Sequence, residues 1–315
     1  MRYYYLLAIS IGLLCLSNLP AYADCVSPPG KPLDSYYNPD LQRFVTCQDT
    51  EWVLAAPTGA ALATKDNRAA SWWAAAFPKE HSVGALQIKN EAQKALKEIK
   101  LPLSDDFNKT VDAVRQFVNQ NTEHNIDGEF YSYWSDIPEL LRRMTVAAND
   151  PKAPKPHTEC STRTALMYHI LRELNIRSRP VVIYADGIDN ANHTYLSVYN
   201  DMTQHWQIQD ADYNVFWIKK NTKERASTFD LLYNPVEKNF VPCTAEGDCG
   251  YKNSIQSIIS YFSLVAVLDI EKDDYTTQVN LDRVNADHIK LFMKAQQPYC
   301  ELFSNGCKVG MESAN

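Results

Sequence analysis

The sequence predicts an α+β fold in which a helix carrying one unpaired cysteine packs on an antiparallel sheet. Three observations lead there. Apolar residues recur at helical spacing near 86–99, over 107–118 and over 160–174. Three short strand-like runs follow in close succession, "RPVVIYA" (179–185), "HTYLSVY" (193–199) and "HWQIQD" (205–210). Six of the seven cysteines beyond the N-terminal segment fall into local pairs, which leaves Cys160 over.

Residues 1–23 read as an export signal rather than as part of the fold. Arg2 is their one charge, Leu6 to Leu16 is apolar, Pro20 breaks a helix, and Ala21-Tyr22-Ala23 is the small-x-small pattern that signal peptidase cuts. The apolar run is too short to anchor a protein in a bilayer, which takes about 20 residues. Cleavage after Ala23 predicts a periplasmic or secreted protein starting at Asp24, with no stable membrane insertion. Of 31 basic and 38 acidic residues, only Arg2 falls in this segment, leaving 30 against 38. The remaining Lys and Arg are scattered without a clustered face, so nucleic acid is not an expected partner.

The elements follow in order. Residues 24–56 form a small disulfide-clipped β module, with two strands around Gln48-Asp49-Thr50 and Cys25 pairing with Cys47. Residues 57–104 are an Ala-rich linker whose clear element is the helix near 86–99, on Leu86, Ala92, Leu96 and Ile99. Ser104-Asp105-Asp106 caps the next helix, which carries Phe107, Val111, Val114, Phe117 and Val118. Pro138 stands near the start of a further short helix, and "NDPKAPKPHTE" is a loop because three prolines interrupt it. Thr158 caps the helix that runs from Cys160 to Leu174, with Ala165, Leu166, Ile170, Leu171 and Leu174 as its buried stripe; Asn175 stops it. Residues 241–315 read as a helical extension, with amphipathic helices at 252–269 and 281–296 and short disulfide loops Cys243–Cys249 and Cys300–Cys307. Each paired cysteine closes a loop rich in turn residues, which permits the short approach a disulfide needs.

Cys160 in an oxidising compartment needs a reason to stay unpaired. A thiol in a first helical turn meets the positive end of the helix dipole and free N–H groups, which favour the thiolate and can hold an oxyanion. If the hairpin between 193–199 and 205–210 closes evenly around Asp201-Met202, Tyr199 faces Gln204 and His193 faces Asp210. That pairs an imidazole with a carboxylate, which fixes its tautomer and stabilises the imidazolium. Cys160, His193 and Asp210 then have the make-up of a nucleophilic triad. A zinc site through His157 and Cys160 lacks a second ligand pair. "EKDD" (271–274) and Asp210/Asp212 lack the alternating, glycine-containing loop of a calcium site. No metal and no cofactor is expected. His157 and Glu159 flank the cysteine as residues tuning the cleft. Asn108-Lys109-Thr110 and Asn192-His193-Thr194 are glycosylation sequons, and a glycan on Asn192 would obstruct the proposed base, which favours a bacterial origin.

"ECSTRTALMYHILRELNIRSRPVVIY", "NHTYLSVYN" and "HWQIQDADYN" resemble the transglutaminase-like superfamily, whose core is papain-like, and "YWSDIPELL" resembles the Trp-containing segment that precedes the nucleophile in its bacterial exported members. The resemblance covers about 105–217 and implies a catalytic domain over 105–240. It implies Cys160 as nucleophile, His193 as general base and acid, and Asp210 as the orienting carboxylate. Trp134 is the candidate oxyanion donor beyond the Cys160 N–H, and Tyr195 the aromatic usual two residues past the histidine. The chain departs from the pattern at Thr158, at Asn175-Ile176 and at Asp210-Ala211-Asp212. The implied reaction is attack of Cys160 on an amide or peptide carbonyl of a protein or peptide substrate, giving a thioester that water resolves, as in a protease, amidase or deamidase. Resolution by an amine, as in protein crosslinking, a cell-wall peptidase, and a catalytically silent binding protein using Trp52, Trp72 and Trp73 are the alternatives.

Overall fold

The structure is a computed structural model that describes residues 36–38, 43–48, 51–54, 73, 75–78, 81–99, 101–184, 192–234, 236–250, 262–280, 303 and 307–312. The leader 1–23, Cys25 and Cys300 lie outside the described residues, and with them the pairings Cys25–Cys47 and Cys300–Cys307. Strands β1 (Tyr36–Asn38), β2 (Arg43–Gln48) and β3 (Glu51–Leu54) form a small antiparallel sheet, in which Gln48 pairs with Glu51 across the expected turn.

Helix α1 (Val83–Glu98) is capped by Ser82, whose hydroxyl accepts from the Ala85 N–H at 3.1 Å. It buries Ile88, Ala92 and Ala95, while Leu86, expected on that stripe, is 58% exposed. Six positions separate Leu86 from Ala92, about 240° around the axis at roughly 100° per residue, so the two cannot share a face. Helix α2 (Phe107–Gln120) starts at the expected cap, Asp106, which accepts from the Asn108 N–H at 2.9 Å. After β4 (Glu123–His124), α3 (Gly128–Tyr133) and α4 (Ile137–Asn149) begin at the aspartate caps Asp127 and Asp136. The proline-rich loop ends in β5 (His157–Thr158), which pairs in parallel with β4.

Helix α5 (Cys160–Glu173) is the centre of the helical layer. Every residue from Thr162 to Leu171 is buried, so the expected stripe is one side of a helix covered on all sides. Asn175 ends it at φ 57°, and the Ile176 N–H returns to the Leu171 carbonyl at 2.9 Å.

The main sheet comprises β6 (Ser178–Tyr184), β7 (Asn192–Asn200), β8 (His205–Asp210) and β9 (Val215–Lys219), then, after α6 (Thr228–Tyr233) and α7 (Val236–Asn239), β10 (Phe240–Ala245), β11 (Asp248–Cys249), β12 (Leu264–Asp269), β13 (Asp274–Asn280) and β14 (Cys307–Glu312). Its order is β11-β10-β9-β8-β7-β6-β12-β13-β14, antiparallel throughout except for β13 and β14. Alternate residues serve two cores, as the pleat dictates. Val182, Leu196 and Val198 pack with Leu166, Ile170 and Leu171 of α5, whereas Val181, Ile183 and Ile208 pack with Leu231 and Leu232 of α6. Each such fully buried aliphatic side chain contributes about 1.5–3 kcal/mol.

The described C-terminal strands differ from the helical extension expected; residues 251–261 and 281–302, which hold the rest of the helices expected at 252–269 and 281–296, lie outside the described residues. Residues 264–269, expected to end a helix, form β12 between β6 and β13, and residues beyond 240 supply five strands of the main sheet. "LVAVLD" is a short, β-branched apolar run whose residues Leu264 to Leu268 are buried on both faces of the sheet. Such a run has no amphipathic period of its own, and only the β6 edge beside it decides for strand. Cys243 and Cys249 form the expected disulfide, which clips β10 to β11. Trp73, expected on an aromatic surface, is 6% exposed and stacks on Phe77 with ring centroids 5.1 Å apart. Trp72 and the Trp52 side chain lie outside the described residues. No helix among the described residues is long and apolar enough to cross a membrane.

Candidate active site

The free thiol, Cys160, is the first residue of α5. The cap is Glu159 rather than the expected Thr158. Thr158 belongs to β5, with its hydroxyl on the Glu123 carbonyl at 3.1 Å, while Glu159 is extended and its carboxylate accepts from the N–H groups of Ser161 and Thr162, both at 2.9 Å. The Glu159 N–H donates in turn to Thr162 Oγ1 at 3.0 Å, completing a reciprocal capping box. Thr164 ties this first turn to the sheet. Its Oγ1 lies 2.8 Å from the Cys160 carbonyl and 3.1 Å from the Thr194 carbonyl of β7, which sets Cys160 beside the start of that strand.

His193 is the second residue of β7, and its Nε2 lies 2.7 Å from Asp210 Oδ2. Both side chains are buried, at 4% and 3% exposure. The other oxygen of Asp210 accepts from the N–H groups of Asp212 and Tyr213 at 2.9 and 3.1 Å, so the turn after β8 holds the carboxylate in place. The hairpin register differs from the expected one. It closes on the four residues Asp201–Gln204, with Asn200 opposite His205 and Tyr199 opposite Trp206. Asn200 Oδ1 accepts from the Met202 and Thr203 N–H groups at 3.0 and 3.3 Å, and Gln204 takes φ 53°. The asparagine side chain thus builds a longer turn than the sequence suggested. His193 and Asp210 stand diagonally rather than directly opposed. The slip is two residues, so both remain on one face, whereas a one-residue slip would have separated them.

Burial acts most strongly on the titrating groups of the site, and the neighbouring carboxylates act next. Burial lowers the pKa of His193, but Asp210, by charge and hydrogen bond, and then Asp212 and Glu159 outweigh it, so the imidazole titrates above its ordinary 6.5. The thiol goes the other way from the sequence expectation. Burial first, then the charges of Glu159 and Asp212 and the hydrogen bond to Glu159, push Cys160 well above the ordinary thiol value, and the Thr194 N–H opposes them only in part. The helix-terminal amides expected to favour a thiolate are occupied by a carboxylate.

Around the site, Arg163, His124 and Arg115 are residues to which the sequence motifs did not point, and they hold Asp212 and the neighbour of Asp210. Asp212 binds Arg163 NH1 at 3.0 Å and His124 Nδ1 at 2.8 Å, and Arg163 also donates to Thr158 Oγ1 at 3.1 Å. Burial pushes the Asp212 pKa up, but the His124 hydrogen bond and the charges of His193, His124 and Arg163 outweigh it, so the carboxyl lies below its ordinary 3.8. Arg115 of α2 is fully buried and donates to Gln209, the neighbour of Asp210, at 2.6 Å. A signal for it existed, since an arginine four positions from Val111 falls on the apolar stripe of α2. His157, placed near the cleft by sequence, bonds Asp127 at 2.8 Å.

Trp134 ends α3, packs against the helical core and lies 6.2 Å from the Phe130 ring. Tyr195 is 1% exposed, and its hydroxyl donates to Thr228 Oγ1 of α6 at 3.0 Å, so its polar tip is committed to the second core. The structure thus brings Cys160, His193 and Asp210 to one end of β7 and leaves Trp134 and Tyr195 in packing positions. Among the described residues no group of three or more His, Cys, Asp or Glu side chains could hold a metal ion.

No family model matches the chain, and no curated protein matches its sequence. Among solved structures it is similar to a candidate cysteine protease from Cytophaga hutchinsonii, at 18% identity and TM-score 0.28, over 44% of this chain and 40% of that one. It is also similar to the Rad4/XPC nucleotide excision repair complex, at 11% identity and TM-score 0.33 over 70% of this chain and 52% of that one. A third likeness, to Rad4–Rad23 crosslinked to undamaged DNA, has the same identity and TM-score over 70% and 50%. The chain spans about half or less of each of these structures, and likenesses of this strength carry no functional weight.

Proposed function

We propose that the protein is an exported cysteine-dependent acyl hydrolase on a papain-like, transglutaminase-like core, acting on an amide or peptide bond through a Cys160 thioester. The observation that carries this reading is the buried His193–Asp210 pair, 2.7 Å apart, at the start of the strand to which the first turn of the Cys160 helix is tied.

Asp210 holds Nε2, which leaves Nδ1 as the nitrogen for proton transfer. His193 Nδ1 takes the thiol proton as Sγ bonds to the carbonyl carbon. The tetrahedral intermediate then collapses, and the imidazolium gives that proton to the leaving amine. A water molecule repeats the sequence on the thioester: His193 takes its proton, the oxygen bonds to the acyl carbon, and the returning proton restores the thiol as the carboxylic acid leaves. Glu159 occupies the N–H groups of Ser161 and Thr162, and the Arg163 N–H returns to the Glu159 carbonyl at 3.0 Å. The Cys160 N–H is therefore the helix-terminal donor left for the oxyanion. Export rests on the sequence of residues 1–23.

The test is a peptide-library cleavage profile read by mass spectrometry, with Cys160→Ala as control. Cleavage that disappears in the variant supports the reading, and cleavage that persists undiminished removes it.

A further inference from the structure

The thiol of Cys160 donates to Glu159 Oε2 at 3.1 Å. The same carboxylate accepts from the N–H groups of Ser161 and Thr162, from Thr162 Oγ1 at 3.0 Å and from Ser161 Oγ. Five donors converge on one anion at the start of α5, and the thiol is one of them. We propose that Glu159 is a positioning residue that, together with burial, holds Cys160 as a neutral thiol in the resting protein until His193 removes the proton.

The surrounding charges single out this residue. Around Cys160 are Glu159 at its helix cap, Arg163 of its own helix and Asp212 just after β8, with the paired His193 of β7 and Asp210 of β8 at the same end of the sheet and His124 of β4 on Asp212. Asp210 is matched by His193 at 2.7 Å, and Asp212 by Arg163 and His124 at 3.0 and 2.8 Å. Every hydrogen bond that Glu159 accepts comes from a neutral donor, so no cation pairs with it directly, and it touches the sulfur itself; His193 and His124 meet its charge only through space. A bare helix N-terminus offers a thiolate roughly half a positive charge. A full negative charge at 3.1 Å reverses that preference. The capping box fixes the geometry, because Thr162 holds both the carboxylate and the Glu159 backbone. The consequence is a nucleophile protected from oxidation and stray alkylation in an oxidising compartment, since only the thiolate reacts readily.

This proposal gains its catalytic meaning from the hydrolase reading, but the thiol chemistry can be measured without turnover. The experiment follows the rate of Cys160 alkylation by iodoacetamide from pH 5 to 10 on the full mature chain, with peptide mass mapping to locate the label. Glu159→Gln keeps an acceptor for the cap and removes the charge. Its rate profile should move to lower pH by at least one unit, which raises alkylation at pH 7 about tenfold. Glu159→Asp keeps the charge at the cap and should keep the wild-type profile to within about half a unit. An unchanged or lower rate at pH 7 in Glu159→Gln overturns the proposal, as does the same displacement in both variants. A rate in Glu159→Gln equal to that of the urea-unfolded chain would show that the residue merely holds the fold, and also counts against it. The expected shift in a protein that cleaves no amide would remove the hydrolase reading and leave this one standing.

Discussion

Replacing Arg115 with methionine should destabilise the fold by about 3 kcal/mol, and the structure lets two opposed terms be weighed. The guanidinium is fully buried, with Nε on Asn214 Oδ1 at 3.0 Å, NH1 on Asp112 and Gln209 at 2.7 and 2.6 Å, and NH2 on the Thr244 carbonyl at 2.9 Å. Burial lowers its pKa from 12.5 to about 10 even with Asp112 alongside. The charged form is thus disfavoured there by about 3 kcal/mol, at 1.36 kcal/mol per unit. Methionine sheds that penalty and keeps most of the stem. It also strands three acceptors, at about 3 kcal/mol for the fully buried Gln209 oxygen and about 1.5 kcal/mol each for the part-buried Asn214 and Thr244 oxygens, or about 6 kcal/mol together. Asp112 keeps Arg225, whose NH1 and NH2 donate to it at 3.1 and 2.7 Å, so no carboxylate is left alone. The stranded acceptors win by about 3 kcal/mol. Urea unfolding followed by circular dichroism measures this, and an Arg115→Met protein within about 0.5 kcal/mol of wild type would refute the weighing. Adding Gln209→Met removes one stranded acceptor and should return about 1–2 kcal/mol.

Other outcomes follow from the same geometry. Asp210→Asn should fold normally but lose turnover by about 10⁴-fold, the loss seen when the orienting aspartate of a serine-protease triad is amidated. Asp212→Asn should hold kcat within about tenfold and instead cost about 3 kcal/mol of stability, because it breaks a buried pair with Arg163. Wild-type kcat/KM should rise as pH climbs through the raised pKa of His193, giving an acid limb above 6.5, since the protonated ring cannot act as a base. Asp136, the cap of α4, has its pKa raised by burial from 3.8 to about 6, so its charge is a burden that grows as pH rises between those values. Asp136→Asn keeps the cap and should stabilise the protein by about 1–2 kcal/mol at pH 7 and by nothing at pH 3.5, after discounting for partial exposure. Thermal melts at the two pH values check the sign.

The parts legible in the sequence were those with a local cause. Asp106, Pro138 and Asn175 mark helix ends through their own side chains or backbone preference, and the elements begin or stop there. The three strands after Cys160 appear with bounds within a residue or so of those expected. The parts that were not legible depend on distant partners. Residues 264–269 become a strand because β6 offers an edge. The hairpin register turns on where the Asn200 side chain hydrogen-bonds, and a shift by an even number leaves the His193–Asp210 face intact even though the pairing moves. Thr158 lost the cap because β4 recruits it into a two-stranded ladder, which hands the position to Glu159 and reverses the expected charge at Cys160.

The proposed covalent acyl intermediate on Cys160, with His193 as its proton carrier, can be trapped by acid-quenching the protein during turnover of a peptide it cleaves and mapping the acyl group by mass spectrometry. An acyl adduct is expected on Cys160 in the wild type and in neither His193→Ala nor Cys160→Ala, with turnover lost in both. Turnover with no adduct on Cys160, and undiminished in Cys160→Ala, would contradict it.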